Sequence, residues 1–163
     1  MIVADTSALV SLATADALAV VLGEFDVFTT EVVVEELKET ADYDDPSGEA
    51  AETVLARREA LTVRTVSSPE FETSRIDAGE GTCVTLARKE DADFLVTDDF
   101  RALPELKPLV PGTVAISPLV LKALVKREVY TREEATRKLE QIATDRDWLG
   151  SPIYRQAKEL FSE

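Results

Sequence analysis

The sequence predicts one α/β domain, a mostly parallel five-stranded sheet flanked by helices, with extra helices at the C-terminal end. Three observations carry that prediction. Five short apolar or β-branched runs recur along the chain, helical segments separate most of them, and two of the runs end in carboxylates. Parallel strands need long crossovers, which the intervening helical segments supply. The 163 residues suit one domain, with no repeat, low-complexity tract or linker. A core over about residues 1–117 and a helical extension over about 118–163 are expected.

Ile2 to Ala4 is a short apolar run closed by Asp5, the pattern of a buried strand with a polar tip. Ser7 to Val10 and Asp16 to Leu22 read as helix, with Gly23 as a stop signal. Phe25 to Thr29 reads as the second strand. Glu31 to Glu39 spaces Val33, Val34 and Leu37 as a helix does, behind a Thr29-Thr30 cap. Ala41 to Gly48 has loop composition, Glu49 to Ala60 is helical, and Leu61 to Val66 is a third strand. Asp77-Ala78-Gly79-Glu80 opens a helix running to about Glu90, and Phe94 to Thr97 is a strand ending in Asp98-Asp99. Thr113 to Ile116 is the last strand. Ser117-Pro118 and Ser151-Pro152 each pair a cap with an early helical proline, and Thr131 with Glu134 forms a capping box.

Composition removes several chemistries. The chain has no histidine and one cysteine, Cys83. That excludes Ser-His and Cys-His catalytic pairs, His-ligated zinc, Cys-cluster metal sites and an internal disulfide. The start of the chain lacks a signal-peptide pattern, and no apolar run reaches the length of a membrane span. A soluble, cytoplasmic protein with no membrane association is expected. Acidic residues outnumber basic ones 32 to 18, for a net charge of −14, and only 7 of the basic residues are lysine. Such a spread of carboxylates matches the surface bias of proteins from salt-rich cytoplasm, where screening acts over a few ångströms. Chemistry in this chain falls to carboxylates.

Asp5 and the Asp98-Asp99 pair occupy carboxyl ends of strands, where open α/β sheets bind ligands near a reversal of strand order. Acids brought together there suit a hard cation, Mg²⁺ or Mn²⁺, at about 2.1 Å from oxygen ligands. Each acid also has an ordinary structural use. Asp5 suits a helix cap, Asp98 and Asp99 suit a turn, Glu80 suits a capping box with Asp77, and Glu36 sits among Glu31, Glu35 and Glu39. Cys83, Trp148 and Tyr154 read as packing residues.

Taken in order, four segments resemble the PIN-domain nuclease superfamily: Val3-Ala4-Asp5-Thr6-Ser7, Val33-Val34-Glu35-Glu36-Leu37, Asp77-Ala78-Gly79-Glu80 and Leu95-Val96-Thr97-Asp98-Asp99. The resemblance spans nearly the whole chain. Its tail is similar to a VapC-like prokaryotic subgroup with added C-terminal helices. Arg101 stands where relatives carry the first of two basic residues after the acidic pair, and Leu103 replaces the second.

The resemblance implies a catalytic set of Asp5, Glu36 (or Glu35), Glu80, Asp98 and Asp99. Of these, Asp5, Glu80 and Asp98 or Asp99 would hold one or two Mg²⁺ or Mn²⁺ ions. Thr6, Ser7 and Thr97 would support them, and Arg101, Arg75 and Arg88 are candidate phosphate contacts. It further implies metal-assisted hydrolysis of single-stranded RNA, by a toxin paired with an antitoxin protein or by an RNA-maturation enzyme. A homodimer using the Leu119 to Val125 face is a related expectation. Two other functions compete: an inactive module of this fold that binds nucleic acid or a partner, and a phosphoryl-transfer receiver or phosphatase. The latter wants an acidic pair or Asp-x-Asp at the first strand, and Asp5-Thr6-Ser7 supplies neither.

Overall fold

Strand β1 (Ile2–Ala4) is buried along its whole length, as a strand covered on both faces must be. In the computed structural model, which describes residues 1–67 and 75–162, β1 sits at the centre of a five-stranded sheet ordered β3-β2-β1-β4-β5. The other strands are β2 (Val27–Thr30), β3 (Thr62–Arg64), β4 (Phe94–Val96) and β5 (Thr113–Ala115). Every pairing is parallel, with Ile2 opposite both Val27 and Phe94. The chain steps from β1 outward to β3, then returns to the other side of β1 for β4. That reversal lies between β1 and β4, and Asp5 follows one strand while Thr97-Asp98-Asp99 follows the other.

The helices are α1 (Thr6–Thr14), α2 (Leu18–Glu24), α3 (Glu31–Ala41), α4 (Pro46–Ala56), α5 (Ala78–Glu90), α6 (Leu103–Leu106), α7 (Ser117–Lys126), α8 (Arg132–Asp145) and α9 (Pro152–Leu160). Helix α5 packs on β1, β2 and β4, and α3 packs on α4. The Thr29 hydroxyl donates to the Ala4 carbonyl at 2.7 Å, and Cys83 is a buried packing residue behind the same carbonyl. Helix α8 packs on α1 and α7, burying Leu139, Ile142 and Trp148. Among the described residues no single helix is long and apolar enough to cross a membrane.

Several boundaries differ from the sequence expectation, each for a local reason. Gly23 does not stop α2, which continues to Glu24. Phe25, expected to open β2, instead closes α2 by donating its N–H to the Val21 carbonyl. The 41–48 loop is shorter than its composition suggests. Asp45 accepts the Gly48 N–H at 2.8 Å, and Pro46 enters the first turn of α4, where its missing N–H costs nothing. The same helix ends at Ala56, ahead of a 3₁₀ turn over Arg58–Ala60. The short α6 was not expected at all. The Thr131 and Glu134 capping box forms as predicted.

The turn between α3 and α4 is tight. A Cβ on Gly48 would lie 1.9 Å from the Tyr43 carbonyl oxygen and 3.2 Å from that of Thr40. Backbone cannot swing aside as a side-chain tip can. Gly48→Ala is therefore expected to cost about 1–3 kcal/mol, read as a lower urea midpoint.

Candidate active site

Asp5 ends β1 with extended backbone (φ −89°, ψ −179°) and caps α1, so its carboxylate is fixed before any ligand arrives. Its Oδ1 accepts the Ala8 N–H at 3.0 Å and the Ser7 hydroxyl at 2.8 Å. Its Oδ2 accepts the Thr97 hydroxyl at 2.5 Å. The same two hydroxyls then receive backbone donors from the end of β4. Ser7 Oγ accepts the Asp98 N–H at 2.8 Å, and Thr97 Oγ1 accepts the Asp99 N–H at 3.1 Å. Ser7 and Thr97 thus join the two strand ends through one carboxylate. Asp5 is only 3% exposed. Burial pushes its pKa up to about 7, against the lowering effect of its three donors, and Asp98 adds repulsion.

Glu36 projects from α3 and accepts the Thr6 hydroxyl at 2.6 Å. It also accepts the backbone N–H of Gly79, in the first turn of α5. A Cβ on Gly79 would lie 2.1 Å from Glu36 Oε1, so only glycine lets the carboxylate approach this closely. Burial raises the Glu36 pKa, the Thr6 bond opposes that rise, and Asp77 and Glu39 add to it.

Asp77 caps α5 by accepting the Glu80 N–H at 2.8 Å. Glu80 is 5% exposed, and its buried Oε2 has no donor among the described residues. Burial, a hydrogen bond in which its protonated carboxyl meets Asp99, and the charges of Asp77, Asp99 and Asp5 push its pKa up to about 10. Two carboxylates in such contact repel each other, and a cation against them would relieve that repulsion.

Asp5, Glu36, Asp77, Glu80 and Asp99 line one open cleft of about 610 Å³. Thr6 and Ser7 line it as well, and Thr97 acts from behind through Asp5. Asp98 does not line it. The Asp98 side chain is buried, with Oδ1 accepting the Ser117 N–H at 2.7 Å and Oδ2 accepting the Ser117 hydroxyl at 2.7 Å. Ser117 is accordingly not the cap of α7, which Ile116 occupies; its hydroxyl ties α7 to the end of β4. Ser117→Ala removes a donor from a buried carboxylate. A loss of about 1.5–3 kcal/mol is expected in chemical denaturation.

Glu35 is exposed and bonded to Lys38, which leaves Glu36 as the α3 acid of the cleft. Of the arginines, Arg88 lies in the last turn of α5, about 12 Å along the helix from Glu80, and donates to the Leu109 carbonyl. Arg75 and Arg101 are exposed and do not line the cleft. Among the cleft residues that sequence reasoning missed are Asp77, Tyr43 and Arg146. Asp77 has the sequence signature of a cap, and three residues before Glu80 it shares that end of α5. Tyr43 and Arg146 carried no signal, being brought in by the α3–α4 turn and by α8.

The donor set is all hard oxygen, and the orphaned Glu80 Oε2 marks where a cation fits. Among the described residues no three such side chains already form a close metal cage.

A family model, DUF3368, described as a PIN domain, matches residues 1–163. The chain belongs to the PIN-domain family. No curated protein matches it. PIN domains are generally nucleases and typically use Mg²⁺ or Mn²⁺. In this PIN domain, the acids of the four sequence motifs converge on one cleft at the β1–β4 reversal, Glu35 and Asp98 excepted.

Proposed function

We propose that this PIN domain is a Mg²⁺- or Mn²⁺-dependent phosphodiesterase acting on single-stranded RNA. The observation that carries the proposal is the buried, donorless Glu80 Oε2 set against Asp99 and beside Asp5. Asp5, Glu80 and Asp99 would hold the metal, with Glu36 acting through water. Held there, the ion would supply Lewis acidity to the scissile phosphate and to water. The chain's own groups do the positioning. Thr97 and Ser7 aim Asp5, Thr6 and the Gly79 N–H aim Glu36, and Glu80 accepts a hydrogen bond that orients the attacking water. Prealigned carboxylates need no rearrangement as charge develops, which is the energetic advantage of the site.

The net charge of −14 opposes approach of a polyanion. In concentrated salt that repulsion is screened within a few ångströms, and bridging through the ion outweighs it. The proposal places the protein in the cytoplasm, as a toxin restrained by an antitoxin or as an RNA-maturation enzyme, with homodimer formation accompanying either role. The test is cleavage of a 5′-labelled single-stranded RNA with Mg²⁺, with Mn²⁺ and with EDTA. Cleavage in both ions and none in EDTA is expected. A folded protein that cleaves in neither ion overturns the proposal and favours an inactive binding module.

A further inference from the structure

Arg146 and Tyr43 line the same cleft as the carboxylates, and the ion-binding proposal uses neither. Arg146 closes α8, and the chain around it is fixed. Its N–H donates to the Ile142 carbonyl at 2.8 Å, Asp147 holds a left-handed φ of 56°, and the Trp148 N–H returns to the Ala143 carbonyl at 2.8 Å. This is a Schellman end, with the buried Trp148 ring as its anchor. A cation there favours the helix dipole, as it would at any helix end. Three further facts set Arg146 apart. It is half-buried, it is the one cation among the described residues lining the cleft, and its guanidinium makes no hydrogen bond or ion pair with those residues. Its field acts on Asp98, yet both Asp98 oxygens already accept from Ser117. A guanidinium with its whole fork of donors open suits a phosphate.

Tyr43 lies on the rim at the turn between α3 and α4, 67% exposed. Gly48 packs against its carbonyl, so the backbone is pinned while the ring stays in solvent. An aromatic face beside a phosphate site is the usual equipment for an unpaired strand, because a base in a duplex has no free face to stack.

We infer that Arg146 and Tyr43 grip the substrate strand next to the carboxylates, Arg146 on a backbone phosphate flanking the scissile one and Tyr43 stacked on an unpaired base. The inference rests on the phosphodiesterase proposal and adds the two strand contacts to it.

Steady-state cleavage of a labelled single-stranded RNA in Mn²⁺, measured over a range of salt concentrations with the full chain, tests it. Arg146→Gln is expected to raise KM about tenfold, with kcat within about twofold, and to flatten the slope of log KM against log salt by about 0.7. Arg146→Lys keeps the slope. Tyr43→Ala raises KM about tenfold and Tyr43→Phe does not. Melting temperatures of all four stay near wild type. An Arg146→Gln protein with unchanged KM and slope overturns the inference. So does one that loses kcat and melting temperature together, which marks a structural role through Asp98. Wild type that cleaves while both truncations match it sinks this inference alone. Wild type that cleaves no RNA overturns the phosphodiesterase proposal and this inference with it.

Discussion

Asp5→Asn is expected to abolish Mn²⁺-dependent cleavage of single-stranded RNA while leaving a folded protein. Asparagine keeps the shape and the Oδ1 acceptor for the Ala8 N–H, so the α1 cap survives. It removes the charge that the ion requires. Thr97→Val removes only the hydroxyl that aims Asp5 and receives the Asp99 N–H, a supporting role whose loss costs about 10–100-fold. Asp5→Asn should therefore lose more than Thr97→Val under identical conditions. The acidic pair at the end of β4 divides in the same assay. Asp99→Asn lowers the rate and weakens Mn²⁺ dependence, because Asp99 faces Glu80 in the cleft. Asp98→Asn lowers the melting temperature more than the rate, because its carboxylate serves Ser117. Full activity in Asp5→Asn would remove the assignment of the cleft as the active site.

The sequence made the alternation of strands and helices legible because each strand is a short apolar run and each crossover a helix with readable periodicity. It also made Asp5, Glu36 and Glu80 legible, since strand ends and first helical turns fix where those side chains go. Asp98 and Asp99, alternatives in the sequence, part in the fold for a physical reason. Two adjacent aspartates after a strand point to different sides, and which side holds the cleft depends on where α7 lands. The Ser117-Pro118 pair has the composition of a cap, but a buried carboxylate claimed the hydroxyl first. Gly23 failed as a stop because an isolated glycine in a helix costs only about 1 kcal/mol, which neighbouring packing by Leu18 and Val21 outweighs. Arg146 and Tyr43 were invisible because nothing local marks them. They reach the cleft only through α8 packing on α1 and α3 packing on α4.

Metal-free protein is expected to lose stability as pH rises from about 4 to 8, and Mg²⁺ is expected to remove most of that loss. In the folded chain Asp5 titrates near 7 and Glu80 near 10, whereas both release their protons near pH 4 when unfolded. Between those values the folded state binds more protons than the unfolded state, so unfolding becomes easier as pH increases. The slope approaches about 1.4 kcal/mol per pH unit for each group while it is fully engaged, and Asp5 stops contributing above about pH 7. A divalent ion replaces those protons, so Mg²⁺ should raise the melting temperature far more at pH 8 than at pH 5. The other carboxylates of this acidic chain add repulsion of the same sign, and any salt relieves it. The comparison is therefore made at constant ionic strength, MgCl₂ against NaCl, in wild type and Asp5→Asn side by side. Surface charge is nearly common to both proteins, so their difference isolates the cleft. Asp5→Asn should melt higher than wild type in EDTA at pH 8, show a shallower pH slope, and gain less from Mg²⁺. Equal gains from Mg²⁺ in the two proteins would show that the ion acts on diffuse surface charge, and the cleft would lose its claim to a metal.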